Sequence, residues 1–361
     1  MAERITAAQW NRTLLHRQHL LRRADEDAIE VIDRCVGLQS QDPKAAFLGL
    51  WSRIEGFEPD ELDGLLTDRD VVRIALLRST LFLIDAEDAR WIRPLARQSL
   101  EAEAVTHARK LTGADPAAVV RDAAELLGGR ELSGAELGNA LAQRHIDETP
   151  ATLTALARCG LPLVQVPPRG LWRGSGTPTY RLLDDWIGQG EPALDGDEAR
   201  RELVRLYLRG FGPASIRGIQ TWSGLRGLRP VVEAMESEWE LVRLTGPDGE
   251  ELFDLEGLDV VDGDVPAPVR LLAPFDHVLV AQGDRQRIAD DEHYRRTVTV
   301  NGRFPGFILV DGRLAGLWRT YLDDERRERV EPEMFTAVPR RARAELDDEV
   351  ARLEQWYADH S

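Results

Sequence analysis

Lysine is nearly absent from this chain of 361 residues: it occurs only at Lys44 and Lys110, and every other basic side chain, histidine aside, is arginine. Arginine supplies a flat guanidinium fork suited to phosphate, although a GC-rich genome produces the same bias. Cysteine is equally scarce. Cys35 and Cys159 lie far apart in apolar, helix-like surroundings, which excludes a disulfide framework or a zinc spacing and marks both as small core residues. No run of about eighteen apolar residues occurs, and the opening Met1-Ala2-Glu3-Arg4 carries no apolar signal region, so a cytoplasmic protein without membrane association is expected. A basic excess is lacking too. The formal net charge of −17 argues against indiscriminate affinity for a polyanion. The charge is unevenly spread, however: 184–202, 248–264 and 323–333 are acidic, whereas 12–23, 169–181 and 217–229 are basic, which leaves room for a local anion-binding surface.

The length exceeds one ordinary core, and roughly two to four compact units are expected. Trp10, Leu14 and Leu15 at helical spacing predict a helix from Thr6, and Asp25 reads as the cap of a second helix with Ile29, Ile32 and Val36 on one face. The apolar stretch 45–54 is helix or buried strand. A helix over 59–66, a strand pair at 71–77 and 81–84, and a helix capped by Asp85 follow. A connector at 98–111 leads to helices over 115–127, 133–144 and 151–158, the middle one opened by the capping box Ser133-Gly134-Ala135-Glu136. Strand-like runs 161–166 and 179–183 then flank a basic, glycine-rich tip. Helices over 197–208, 213–221 and 228–235 precede a third hairpin about Gly246-Pro247-Asp248-Gly249. Helices followed by a hairpin thus recur at intervals of roughly ninety residues, longer than solenoid repeats. Beyond Pro266-Ala267-Pro268 the pattern changes to short strands at 269–272, 278–280, 297–300, 307–310 and 314–319, and then to an amphipathic helix after Pro339. The expected fold is mainly α with β wings. Three tandem winged-helix units fall at 1–112, 113–190 and 191–265, and a small β-rich, barrel-like C-terminal domain with a terminal helix at 266–361.

The stretch that carries chemistry is Gly37-Leu38-Gln39-Ser40-Gln41-Asp42-Pro43. On extended backbone Gln39 and Gln41 project to the same side, which aims two amides at one point. Gly37 permits close backbone approach, and Pro43 biases Asp42 toward extended geometry. By itself the heptapeptide reads more readily as a polar linker. The histidines complete no metal site, and no nucleophile elbow or phosphate-binding glycine loop occurs, so neither metal nor cofactor is expected.

Several separated stretches, taken together, resemble the winged-helix DNA glycosylases of the AlkZ and YcaQ type. They are Val36 to Pro43, Leu77-Arg78-Ser79-Thr80-Leu81, Leu208-Arg209-Gly210-Phe211-Gly212-Pro213-Ala214-Ser215, Trp222-Ser223-Gly224-Leu225, Leu272-Ala273-Pro274-Phe275-Asp276, Val310-Asp311-Gly312-Arg313 and Gly316-Leu317-Trp318-Arg319. The resemblance implies three tandem winged helices, a concave DNA-binding surface, and excision of N7-alkylated guanine with unhooking of interstrand crosslinks. Its signature of glutamine, aliphatic residue, then glutamine or aspartate falls on Gln39 and Gln41 and favours the AlkZ side. Two positions depart from it. Ser40 replaces the aliphatic residue, which loosens the packing that orients the pair, and Phe82 stands where the family often has histidine.

The expected enzyme is a monofunctional DNA glycosylase, in the setting of resistance to a DNA-alkylating natural product. Gln39 and Gln41 are its catalytic residues and Asp42 their support. Arg78 and the wing arginines Arg169, Arg173 and Arg181 would meet phosphate, with Trp172 against sugar or adduct. Duplex DNA containing alkylated guanine is the partner, bound by a monomer. The other readings are a tandem winged-helix regulator that binds DNA without cutting it, and a relative that has lost excision.

Overall fold

The structure is a computed structural model and describes residues 3–298 and 304–361. Strand β1 (Glu3–Arg4) and the helix Ala7–Arg17 open the chain, the helix capped by a reciprocal Thr6–Gln9 box. The next helix, Ala28–Arg34, has Asp27 at its cap in place of the expected Asp25. It ends short of Gly37, whose φ is +75° and where a Cβ would lie 2.8 Å from the Leu83 carbonyl oxygen. Only glycine satisfies both demands. Strand β2 (Leu38–Gln39) follows, then the fully buried helix Ala45–Trp51, which resolves the ambiguous apolar stretch, and the helix Pro59–Asp68. Strands β3 (Val71–Ala75) and β4 (Leu81–Asp85) form a hairpin, and Asp85 caps the helix Ala86–Leu95 through the amides of Glu87 and Asp88.

After the connecting helix Arg97–Ala108 the order repeats. The helix Pro116–Leu127 leads to strand β5 (Leu132–Ser133), helices Gly134–Arg144 and Pro150–Gly160, and a hairpin of β6 (Leu163–Gln165) and β7 (Thr179–Leu182). A third round runs through helices Gly196–Phe211, Ile216–Ser223 and Arg229–Ser237 to β8 (Leu241–Thr245) and β9 (Glu251–Leu255). Each round shares one detail: the extended piece between its first two helices pairs with the second hairpin strand, at Leu38↔Leu83, Leu132↔Tyr180 and Ala214↔Phe253.

The rounds are fused by their strands. Pairing of Arg73 with Gln165 and of Ile74 with Val164 joins the first two hairpins into one six-stranded sheet, in the order β2-β4-β3-β6-β7-β5. The N-terminal arm crosses over instead of staying with residues up to 112: β1 pairs in parallel with β8. Arg17 clamps the arm helix through a bidentate bond of 2.6 and 2.7 Å to Asp254, both side chains buried.

Strands β10 (Arg270–Leu272), β11 (Gly306–Val310), β12 (Arg313–Leu322) and β13 (Glu328–Met334) form an antiparallel sheet in that order. Asp311 and Gly312, both at positive φ, make the tight turn between β11 and β12. Among the described residues the sheet is open where a barrel-like closure was expected, and the terminal helix Arg340–Asp359 contacts both of its edge strands. The strand expected at 278–280 is a helix, His277–Val280, because Asp276 accepts the Val278 amide at 3.1 Å and starts a helical turn. Of the strand expected at 297–300, Thr297 closes the helix Asp291–Thr297, and Thr299 and Val300 lie outside the described residues. The chain is mixed α/β, and no described helix is long and apolar enough to cross a membrane. One hydrophobic cluster joins the first round to the C-terminal sheet and helix through Leu50, Phe57, Ile308 and Trp356. The Gln39 segment lies at that junction.

Candidate active site

Gln39 is the last residue of β2, directly opposite Phe82 on β4, so both side chains lie on one face of the sheet. That face is closed by Arg78. The turn from β3 to β4 holds Arg78 and Ser79 at φ of 57° and 59°, a left-handed pair that non-glycine residues avoid. The distortion turns the Arg78 side chain inward: its guanidinium donates to the Gln39 Oε1 at 3.2 Å and to the Trp222 carbonyl, and lies 5.5 Å from the Phe82 ring centroid. Gly224, at φ +75°, makes room for this turn, since a Cβ there would come within 3.2 Å of the Arg78 backbone nitrogen. Three stretches distant in sequence therefore meet around one amide.

Ser40 is fully buried and held as firmly. Its amide donates to the Leu81 carbonyl at 2.8 Å. Arg73 of β3 donates to its Oγ at 3.1 Å, to its carbonyl oxygen at 2.9 Å, and to the Gln165 Oε1 at 3.2 Å. The looseness expected from a serine between the glutamines is absent, because the hydroxyl answers a buried guanidinium that an aliphatic side chain could not. Burial draws the pKa values of Arg73 and Arg78 each down to about 10. Both remain cations at neutral pH.

Gln41 is exposed, two residues beyond the end of β2, so the two glutamines differ in surroundings: one amide oriented from within, the other open to solvent. Asp42 is exposed as well; its Oδ1 accepts the Lys44 amide at 2.8 Å in an Asx turn that leads into the helix Ala45–Trp51. A cleft of ≈ 920 Å³ opens beside this turn, bordered by Asp42, Lys44, Trp172, Arg173, Arg319 and Tyr357 among others. Lys44 is engaged: its Nζ donates to the Trp172 carbonyl and lies 3.7 Å from the Trp172 ring centroid. Burial lowers its pKa. Among the described residues no cluster of His, Cys, Asp and Glu has the arrangement of a metal site.

The DNA contacts expected from the sequence need correction. Arg78 is turned inward, its guanidinium engaged by Gln39 and the Trp222 carbonyl. Trp172 is buried at the tip of the β6–β7 hairpin among Phe47, Trp356 and Tyr357, its Nε1 donating to the His360 carbonyl at 2.7 Å, so it anchors the hairpin and offers no free face for stacking. Arg181 is paired with Glu131 at 3.0 Å. Arg173 is exposed at the cleft, with one bond to the Ser361 carbonyl, and Arg169 is half-buried with a bond to the Gly176 carbonyl. Arg73 and Gln165 were missed. The signal was present, since Arg73 is a lone charge inside the apolar run Val71-Val72-Arg73-Ile74-Ala75.

Residues 32–356 match the family model described as DNA glycosylase AlkZ-like. The chain belongs to that family. It is accordingly a DNA glycosylase, a hydrolase of N-glycosyl bonds, and the matched residues include the oriented Gln39. Among its relatives is a protein of Streptomyces sahachiroi described as an interstrand DNA cross-link repair glycosylase, 24% identical over 347 residues, 86% of this chain and 88% of the relative. The solved structure of the S. sahachiroi DNA glycosylase AlkZ superposes with a TM-score of 0.74 over 98% of this chain and 97% of that one. At 22% identity that likeness concerns the fold.

Proposed function

We propose that this AlkZ-like chain hydrolyses the N-glycosidic bond of N7-alkylated guanine in duplex DNA, bulky adducts and interstrand crosslinks included, with Gln39 and Gln41 positioning the water. The observation that carries the reading is the Arg78–Gln39 contact at 3.2 Å beside an exposed Gln41. An N7-alkylguanine is already cationic and leaves as a neutral base, so the protein need not supply a strong acid. Arg78 takes one lone pair of the Gln39 carbonyl, which leaves the second lone pair and two N–H groups for water and sugar oxygens. Neither amide is a base. Positioning and electrostatic stabilisation of an oxocarbenium-like transition state supply the rate, and the proton passes to solvent or to the neighbouring Asp42.

The cleft of ≈ 920 Å³ beside Asp42 has room for a large substituent, and the related protein's description as a cross-link repair glycosylase points the same way. We read the three rounds as tandem winged helices that form a concave surface, with Arg169 and Arg173 toward phosphate. The protein would act as a cytoplasmic monomer on the chromosome, in self-resistance to a genotoxic natural product. Because Lys44 is engaged by Trp172, hydrolysis without a Schiff-base step is expected.

The test is a duplex with a single N7-methylguanine, incubated with protein and then treated with alkali. Strand breakage is expected with the wild type. Loss of at least about a hundredfold in rate is expected with Gln39→Ala or Gln41→Ala, together with unchanged duplex binding and no borohydride-trapped adduct. Normal release by a folded double variant would refute the assignment, and binding without release by the wild type would favour a DNA-binding module.

A further inference from the structure

We infer that Arg73 is a positioning residue for the excision site and that Ser40 is its matched partner, so that the serine between the glutamines belongs to the device that aims them. The inference rests on the role proposed for Gln39 and Gln41.

A strand with the neighbours of Arg73 has no packing reason to hold a cation. The side chain is 2% exposed, and the oxygens it meets, two on Ser40 and one on Gln165, are neutral. A buried charge without a carboxylate is destabilising, and an apolar residue would serve the sheet better. What the guanidinium does achieve is geometric. It grips the Ser40 hydroxyl and the Ser40 carbonyl together. That carbonyl shares a peptide plane with the Gln41 nitrogen, so fixing it fixes the direction in which Gln41 leaves the sheet. The hydroxyl bond fixes the Ser40 side chain at the same time. Arg78 holds the side chain of Gln39, and Arg73 holds the backbone that carries Gln41.

The second round completes the clamp. Arg73 faces Gln165 across the β3–β6 junction, and Gly170 in the β6–β7 loop, at φ +109°, closes over it so tightly that a Cβ would lie 3.0 Å from its Nη1. The loop that carries Arg169 and Arg173 is thus packed on the residue that sets the catalytic segment. An aliphatic residue at position 40 would leave the Arg73 Nε–H buried without an acceptor, which explains why serine accompanies arginine in this chain.

Single-turnover release from the N7-methylguanine duplex and equilibrium binding are measured for Ser40→Val, Arg73→Met, their combination, and Ser40→Thr. Ser40→Val and Arg73→Met should each lower the rate at least about tenfold with binding within about twofold, because displacement of reacting groups by ~1 Å can cost ~100-fold. The combined variant should be no slower than Arg73→Met alone, since valine no longer strands a guanidinium. Ser40→Thr, which keeps the hydroxyl, should restore most of the rate. Multiplying losses, a Ser40→Thr defect as large as that of valine, or a loss in affinity at constant rate would overturn the inference. Amide hydrogen exchange over 38–42 gives a readout independent of excision. It should accelerate in Arg73→Met at least about tenfold without global unfolding, and unchanged protection would refute the clamp. If the wild type releases no base, the proposed function fails, and exchange alone decides whether Arg73 holds the segment.

Discussion

Arg78 bridges the Trp222 carbonyl and the Gln39 amide with two nitrogens of one planar group, over the ring of Phe82. Lysine keeps the charge and loses the fork. Arg78→Lys should therefore slow base release at least about tenfold while the salt dependence of duplex binding stays the same; a reduced salt slope with normal release would instead make Arg78 a phosphate contact. The Phe82 ring lies beneath the guanidinium and supports it. The sequence showed an arginine in a tight connection. It could not show that two left-handed residues turn that arginine inward, because the distortion is paid for by contacts with Gly224 and Trp222 far along the chain.

Among the elements, the β6–β7 hairpin shows how a basic loop can be organised by its apolar part. Trp172 fixes its tip to the helices Ala45–Trp51 and Arg340–Asp359 through Phe47, Trp356 and Tyr357. Trp172→Ala should cost roughly 3–5 kcal/mol in urea unfolding and weaken binding equally to plain and adduct-bearing duplexes, because the loop is released and no stacking partner is lost. A loss confined to adduct-bearing DNA would restore the stacking role. Several helices were legible from their caps, as at Asp85, Ser133 and Thr149. The two-residue strands β2 and β5 were not, since so short a run carries no periodicity. At 278–280 the capping carboxylate of Asp276 outweighed the strand propensity of Val-Leu-Val.

For the molecule as a whole, the arm helix and the C-terminal sheet meet at a buried polar centre. Arg53 pairs with Asp276 at 2.9 Å, and Gln18 accepts from Arg53 at 3.1 Å and contacts the His277 Nε2 at 3.0 Å. Burial holds His277 down to about 3 and His19 down to about 4, both below the ordinary value of 6.5. In the unfolded chain these rings take up protons as pH falls below about 6.5, whereas the folded protein resists, so the unfolded state binds more protons in that window. Stability is complete above pH 6.5 and declines toward pH 4. The slope should approach roughly 1.4 kcal/mol per pH unit for His277. Melting temperatures at several pH values should fall with acidity, and His277→Gln should flatten the dependence; an equally steep curve in that variant would remove His277 as the cause.

The sequence by itself determined most of the long helices, the recurring hairpins, and the stretch to which we assign excision, because caps, turns and alternation act over a few neighbouring residues. The tertiary structure decided which side chains serve the two glutamines. Arg73 and Arg78 reach that segment through the pairing of β2 and β3 with β4, Gln165 through the β3–β6 pairing, and Trp222 through the packing of the third round against the first. A guanidinium presents the same fork to phosphate, carboxylate or peptide oxygen, and local sequence does not say which of them the fold will bring within 3 Å.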